Sequence, residues 1–167
     1  MKFTKLFKLA AISIAMASLG AVSASHAGTA TGTLLVSATV LSTCNVTTTT
    51  IAFGNYSSVQ LDATGSVTVT CSPGIGSYTV GLGSGIGGAS TSTRKLTFSA
   101  NTLNYSLSQD SAHTQNWGEV QNIDTVSSSV GILSGAAKIF TVFGRLPAGQ
   151  FSAAGAYGDS VVVTVNF

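Results

Sequence analysis

The chain has 167 residues, of which 7% are charged, and its formal net charge is +2. That positive sign depends on residues 1–27. These residues have lysines at positions 2, 5 and 8, continue into an apolar run and end in small residues, as in a secretory signal peptide. The 140 residues that follow carry four basic and five acidic side chains, a charge of −1. This balance excludes the basic surface typical of nucleic-acid binding and a polybasic patch for anionic lipid. The apolar run is shorter than the roughly 20 residues that span a bilayer, so no stable membrane insertion is expected.

Residues 33–41, called here the opening segment, alternate between apolar and hydroxylated side chains. This period of two is typical of an extended strand with one apolar face. Leu35 and Leu41 break the alternation because they share the face of Thr33, Ser37 and Thr39. The apolar face consists of Leu34, Val36, Ala38 and Val40.

Further strands are predicted by short alternating segments separated by turn signals. They cover residues 44–53, 66–71, 77–82, 95–98, 103–107, 138–145 and 157–167. The last one places Tyr157, Asp159, Val161, Val163, Val165 and Phe167 on one face. No amphipathic helix is predicted after the signal peptide, so the pattern indicates an all-β fold, an antiparallel β-sandwich.

A glycine motif follows the segment 77–82, with Gly83, Gly85 and Gly88 in the order GxGxxG. A dinucleotide site would require a helix to begin at once, so that its N-terminus could hold the pyrophosphate. The chain continues instead with serines and threonines that form no apolar helical face. We therefore expect a flexible hairpin loop and no nucleotide cofactor.

Two cysteines, Cys44 and Cys71, occur in a chain that is expected to be exported. Oxidising compartments favour disulfides, so an oxidised pair is predicted. In the chain-entropy model a loop of this size stabilises the fold by about 3–4 kcal/mol. A metal site would need more ligands, and none is expected.

The side chains that could perform chemistry are few and scattered. His113 is predicted to be a solvated loop residue, because no nucleophile motif accompanies it and Asp110 is the nearest carboxylate in sequence. Arg94 and Arg145 are each expected to pair with a carboxylate or to cover the sheet with their stems. Trp117 is either a core residue, which we favour, or a sugar-stacking platform. The chain is not expected to be an enzyme.

Several short motifs follow one another along residues 44–167. They are Cys44, Phe53-Gly54-Asn55-Tyr56, Val67-Thr68-Val69-Thr70-Cys71, Arg94-Lys95-Leu96, Leu103-Asn104-Tyr105, Trp117-Gly118, Gly144-Arg145-Leu146-Pro147-Ala148-Gly149-Gln150 and Gly155-Ala156-Tyr157-Gly158-Asp159-Ser160-Val161. In this order they resemble the spore coat protein U domain, a family that includes the pilins of archaic (Csu-type) chaperone–usher pili. The Ser/Gly stretch 126–135 is less characteristic.

The resemblance implies an incomplete immunoglobulin-like sandwich, formed by residues 44–167, that lacks its final strand. A periplasmic chaperone would supply a strand first, and at the outer-membrane usher the N-terminal segment of an identical or related subunit would replace it. Residues 28–43 would be that donor, entering through Leu34, Val36, Ala38 and Val40. The acceptor groove would be bordered by Val161, Val163, Val165 and Phe167 and by the strand after the donor. The implied function is a structural subunit of a surface pilus that supports adhesion and biofilm formation.

A different class of function fits the same strands. The chain could be a self-contained secreted coat protein or a carbohydrate-binding sandwich, in which residues 34–40 complete their own sheet. The two hypotheses differ in whether the protein alone is a stable monomer.

Overall fold

The computed structural model describes residues 27–129 and 135–167, so the predicted signal peptide lies outside the described residues except for Ala27. Within these ranges the chain forms strands and no helix. The strands are β1 (Cys44–Thr48), β2 (Leu61–Cys71), β3 (Ser77–Leu82), β4 (Arg94–Phe98), β5 (Asn101–Ser108), β6 (Val126–Ser129), β7 (Lys138–Leu146) and β8 (Val163–Asn166).

The strands form two antiparallel sheets. One sheet has five strands in the order β1-β2-β7-β5-β4, and the other has three in the order β6-β3-β8. Both contribute to one core, because Val67 and Val69 of β2 are buried with Tyr78 and Val80 of β3. The predicted all-β antiparallel sandwich is therefore confirmed.

The period-two pattern explains which faces are buried. In β7, Phe140, Val142 and Leu146 are buried, whereas Ile139 and Thr141, on either side of Phe140, are exposed. Successive side chains of a strand point to opposite faces, so one apolar residue in two is enough to build a core. The hydroxylated residues on the other face need few charges to remain hydrated.

The predicted strands differ from the observed ones mainly at the two ends of the chain and in β2, which begins at Leu61 rather than at Ser66. Residues 27–43 have no regular secondary structure, β1 ends at Thr48 rather than at Phe53, and β8 begins at Val163 rather than at Tyr157. A strand is assigned only where a ladder partner exists, and an alternating sequence does not provide one. The predicted burial alternation is nevertheless present from Tyr157 to Val165.

Strand β6 was not expected, because its sequence Val-Ser-Ser-Ser has almost no apolar residues. It pairs with β3 at the edge of the smaller sheet. Only Val126 of this strand packs against the core. An edge strand with one apolar anchor gives too weak a pattern for sequence analysis to detect.

The predicted disulfide joins Cys44 of β1 to Cys71 of β2, with an S–S distance of 2.02 Å. These two residues are directly opposite each other in the antiparallel ladder. The bond therefore fixes the first residue of the edge strand β1 to the end of the interior strand β2.

The glycine motif does not form the predicted hairpin. It connects β3 to β4, and these strands belong to different sheets, so the loop crosses from one sheet to the other. Its backbone is tightly packed: a Cβ atom on Gly87 would meet the carbonyl oxygen of Lys95, and one on Gly88 would meet that of Ser84. The glycines allow this close backbone approach.

The turn after β7 is closed by side chains that replace ladder hydrogen bonds. The register Ser106–Arg145 brings Asn104 opposite Pro147, which has no N–H to donate. The Gln150 side chain supplies the hydrogen bonds that the Asn104 backbone would otherwise make to a strand partner. Its Oε1 accepts from the Asn104 N–H at 2.6 Å, and its Nε2 donates to the Asn104 carbonyl at 2.9 Å. The Tyr56 hydroxyl donates to the Pro147 carbonyl at 2.7 Å and accepts from the Gln150 N–H at 3.0 Å.

Replacing Gln150 with alanine should lower the free energy of unfolding by about 1–2 kcal/mol, because two hydrogen bonds to the β5 backbone are lost. Urea denaturation at high dilution, where association between copies is slow, measures this difference. The control is Gln121→Ala, an exposed turn position, which should leave the midpoint unchanged. Equal midpoints for the two variants would contradict the role of Gln150.

Candidate functional site

The smaller sheet ends in an open edge. Strand β8 pairs with β3 on one side, and no strand among the described residues pairs with its other side. The Val162 carbonyl accepts from the Gly83 N–H at 2.9 Å, so the backbone polar groups of Val162 face β3. By the alternation of an antiparallel ladder, those of Val161 and Val163 face the open edge. These groups are available to an additional strand.

A cavity of about 400 Å³ lies beside this edge. One wall is formed by residues 159–161 with Val163, and another by residues 48–51. The lining also includes core side chains from both sheets, namely Val67, Leu82, Leu107 and Val142. The hydrophobic core is therefore reachable from outside along the open edge, as in a sandwich with one strand missing.

A second cavity of about 1000 Å³ extends the first toward the loop 150–158. The two share Thr50, Ile51, Phe53, Leu96 and Asp159 in their linings. We refer to the two cavities together as the groove. Its mixture of apolar side chains and unpaired backbone suits an extended segment better than a compact small molecule.

The structure brings some of the sequence-predicted groove residues together. Val161 and Val163 line the smaller cavity, and Val165 packs against the core beside them. Phe167 is exposed and lines neither cavity. Strand β1, predicted to border the groove, contributes Thr48 at its end. The function of these residues as an acceptor site stays a prediction.

The wall opposite β8 lies within residues 44–53, which were predicted to border the groove, but sequence analysis did not name its individual side chains. Ile51 and Phe53 lie against the five-stranded sheet where that sheet has glycines on its inner face. A Cβ atom on Gly65 would be 2.6 Å from Cγ1 of Ile51, and one on Gly144 would be 3.0 Å from Cζ of Phe53. The motifs Phe53-Gly54-Asn55-Tyr56 and Gly144-Arg145 contained this signal, but the pattern did not show that they meet.

The opening segment is apolar and exposed. Its large apolar side chains are 75–89% exposed: Leu34, Leu35, Val36, Val40 and Leu41. Monomeric proteins rarely expose a contiguous apolar patch of this kind, and such patches mark interaction sites.

Asp159 fixes the groove wall next to β8. Its carboxylate accepts from the Tyr105 hydroxyl at 2.6 Å and from the backbone N–H groups of Ile86 and Gly87 at 2.7 and 3.3 Å. Burial raises the pKa of the Tyr105 phenol well above its usual range, and the hydrogen bond to Asp159 acts in the same direction. The carboxylate thus connects this wall to β5 and to the glycine loop.

Arg94 is fully buried and does not pair with a carboxylate or cover the sheet surface, so that expectation was wrong. Its guanidinium donates to four backbone carbonyls at 2.7–2.8 Å: Leu82, Gly83, Thr91 and Trp117. Burial lowers the pKa of this group, while nearby Tyr105 and carboxylates oppose that shift. The guanidinium of arginine has N–H donors that point in several fixed directions, so it can donate to separate carbonyls at once. The compact ammonium of lysine cannot reach all of them.

Two further expectations are resolved by burial. Trp117 is a core residue, and its indole Nε1 donates to the Val80 carbonyl at 2.9 Å. His113 was predicted to be solvated, and this was wrong. Its side chain is only 6% exposed and packs edge-on against Phe143. A loop sequence alone does not reveal that the loop folds over the outer face of a sheet.

Arg145 does pair with a carboxylate. Its Nε and Nη2 donate to the two oxygens of Asp62 at 2.7 and 2.8 Å. This hydrogen bonding lowers the pKa of Asp62 below its ordinary value, and His113 at 3.8 Å adds a smaller effect in the same direction. The pair joins β2 to β7 on the outer face of the larger sheet.

Neither a metal centre nor a membrane-spanning helix was found in the part of the chain that the structure describes. Those residues contain no group of three or more His, Cys, Asp or Glu side chains placed to hold a metal ion. None of their secondary structure is a helix long and apolar enough to cross a bilayer.

Comparison with known proteins identifies the family. The model of the spore coat protein U domain matches residues 30–164, which includes the opening segment. The chain belongs to the spore coat protein U domain family. It is also 32% identical to Protein U of Myxococcus xanthus over 172 residues, covering 92% of this chain and 93% of that protein.

A solved structure shares the fold of this spore coat protein U domain. It is the crystal structure of the CsuC-CsuE chaperone-tip adhesion subunit pre-assembly complex from archaic chaperone-usher Csu pili of Acinetobacter baumannii. The matched chain superposes with a TM-score of 0.56 at 23% identity, over 77% of this chain. This chain spans 40% of the length of that solved chain.

Replacing Arg94 with lysine should destabilise this spore coat protein U domain by about 2–4 kcal/mol, because one ammonium leaves buried carbonyls without donors. The free energy of unfolding in urea measures the loss. The same substitution at half-exposed Arg145 is the control and should cost much less. Similar losses at the two positions would contradict the role assigned to the buried guanidinium.

The Asp62–Arg145 pair should make stability depend on pH in acid. Because the pKa of Asp62 is lower in the folded state, its contribution is fully present above the ordinary value of 3.8 and is lost as the pH falls through the lowered value. Asp62→Asn should therefore be less stable than the unmodified protein at neutral pH, and the difference should shrink in acid. Denaturation series at several pH values measure it, and a difference independent of pH would contradict this assignment.

Proposed function

We propose that this chain is a structural subunit of a surface pilus, assembled by the chaperone–usher route through donor-strand complementation. In this proposal residues 28–43 of one subunit enter the groove of the next and supply the strand that the sandwich lacks. The open edge of β8 above a cavity that reaches the core is the observation that carries the proposal. Family membership and the fold shared with the Csu complex support it.

The opening segment and the groove have complementary chemistry. The segment offers alternating apolar side chains, and the groove offers apolar core surface beside unpaired backbone groups. Burial of Leu34, Val36 and Val40, with a smaller part from Ala38, should contribute roughly 4–8 kcal/mol. Each hydrogen bond formed with the open edge adds about 0.5–1.5 kcal/mol. Six residue steps from Leu34 to Val40 span about 20 Å, as do the six from Val161 to Phe167.

A subunit of this kind needs protection before assembly. An open edge beside an apolar groove is a template for aggregation, and the chain has few charges to oppose it. A periplasmic chaperone that occupies the groove would prevent this, and an outer-membrane usher would exchange it for the next subunit. The export route through the periplasm, a cell-surface location and a contribution of the pilus to adhesion and biofilm formation are parts of the proposal. No catalytic role is proposed.

Replacing Val36 with aspartate should abolish fibre growth, because a carboxylate would be buried in the groove without a partner. Capture of the variant by the chaperone should persist, since the variant's own groove is unchanged. Electron microscopy of material sheared from producing cells measures fibre growth, and affinity purification from the periplasm measures capture. The matched control is Ser37→Asp, on the other face of the same segment, which should still assemble.

Loss of both fibre growth and chaperone capture in Val36→Asp would contradict the proposal. Size-exclusion chromatography of the mature chain expressed alone separates it from the alternative of a self-contained coat or carbohydrate-binding module. A pilus subunit should aggregate unless its chaperone is present. A stable monomer would favour the self-contained module.

A further inference from the structure

The exposed face beside the groove has an apolar residue that the fold does not use. Val162 lies on the outer side of the chain leading into β8 and is 71% exposed. Its neighbours on that outer face, Ser160 and Thr164, carry hydroxyl groups and are also exposed. The outer face next to the open edge therefore reads hydroxyl, apolar, hydroxyl.

The opening segment has the same order on its own polar face. Leu35, which broke the alternation, lies between Thr33 and Ser37 on that face and is 89% exposed. Burial of the apolar face in the groove gives no reason for a leucine at this position. Directly opposite side chains on adjacent strands are the contacts that stabilise a sheet face.

We infer that Leu35 of the incoming subunit lies directly opposite Val162 and that this exterior pair fixes the register of donor-strand insertion. The inference rests on the proposed function. The occupant of the groove edge is a second copy of this chain or a related subunit with the same segment.

In this register, the side chains on both faces of the added strand lie opposite residues of similar polarity. With Leu35 opposite Val162, the flanking residues Leu34 and Val36 lie opposite Val161 and Val163, the two valines that line the smaller cavity. On the outside, Thr33 and Ser37 lie opposite Ser160 and Thr164. These pairings hold whether the added strand runs parallel or antiparallel to β8, because they are symmetric about Leu35.

The alternative register places Leu41 opposite Val162. It satisfies the exterior pair equally well, but it brings Ser42 to one of the two positions opposite Val161 and Val163. A hydroxyl group would then enter the apolar cavity without a defined partner, which is unfavourable. The two registers differ by six residues, or about 20 Å along the strand, so they are easily distinguished.

Disulfide trapping in assembled fibres tests the inference. The double variant Leu35→Cys with Val162→Cys should convert the monomer band of sheared fibres into a ladder of multimers on non-reducing gels, and reductant should reverse it. Directly opposite Cβ atoms are about 4.5–5.5 Å apart, within reach of a disulfide after small adjustment. In the matched control, Leu41→Cys with Val162→Cys, the monomer band should remain unchanged. Each single variant should give the same result.

Charge pairing provides a second test that needs no new cysteine. Leu35→Glu should reduce the yield of fibres, and Val162→Lys in the same chain should restore it, since opposite charges on adjacent strands attract. Val162→Lys should not restore the yield of Leu41→Glu. Both experiments use the full chain in cells that assemble it.

The outcomes separate the register from the proposed function. The register would be overturned if multimers formed with Leu41→Cys and not with Leu35→Cys. It would also be overturned if Val162→Lys rescued Leu41→Glu. In either case the proposed function as a pilus subunit would stand. Fibres in which neither pair is trapped and neither charge is rescued would also overturn the register. A disulfide formed within single chains, without fibres, would overturn the proposed function itself.

Discussion

The constraint on which this structure depends is a sheet edge that pairs with no other strand of residues 27–129 and 135–167. Strand β8 uses one side of its backbone for β3, and its other side borders a cavity that reaches the core. A sandwich usually closes such an edge with another strand or protects it with charges. Here the inward valines, Val161 and Val163, remain at the surface of a cavity, which is why we propose that a segment of another subunit covers them.

Polar side chains that are buried or hydrogen-bonded to backbone connect the elements around the groove. Arg94 joins the glycine loop to the Trp117 region, Asp159 joins the β8 wall to that loop and to β5, and Gln150 closes the ladder after β7. Each of these side chains satisfies backbone groups that would otherwise lack partners. An open groove can therefore keep its shape without a filled interior, because its rim is stabilised by hydrogen bonds rather than by packing alone.

The sequence predicted the sandwich and most of its strands because period-two alternation reports the local conformation directly. The strand 77–82 was predicted with the observed bounds of β3. What could not be predicted depends on partners that are distant in sequence. The burial of Arg94 and His113, the crossing of the glycine loop between sheets and the contact of Ile51 with Gly65 all require knowledge of which elements meet. The opening segment alternates like a strand but has no ladder in the described chain, so its role is inferred from chemistry.

The position of the disulfide has a mechanical consequence. In a fibre built by strand exchange, tension enters each subunit through the residues that connect the inserted segment to β1, and Cys44 is the first residue of that strand. The covalent bond to Cys71 delivers the force directly to β2, an interior strand of the larger sheet that pairs with the central strand β7. Strand β1 cannot peel away from its neighbour at this end, so a pulled filament would resist stretching at the junction where a hydrogen-bonded edge would otherwise unzip one bond at a time.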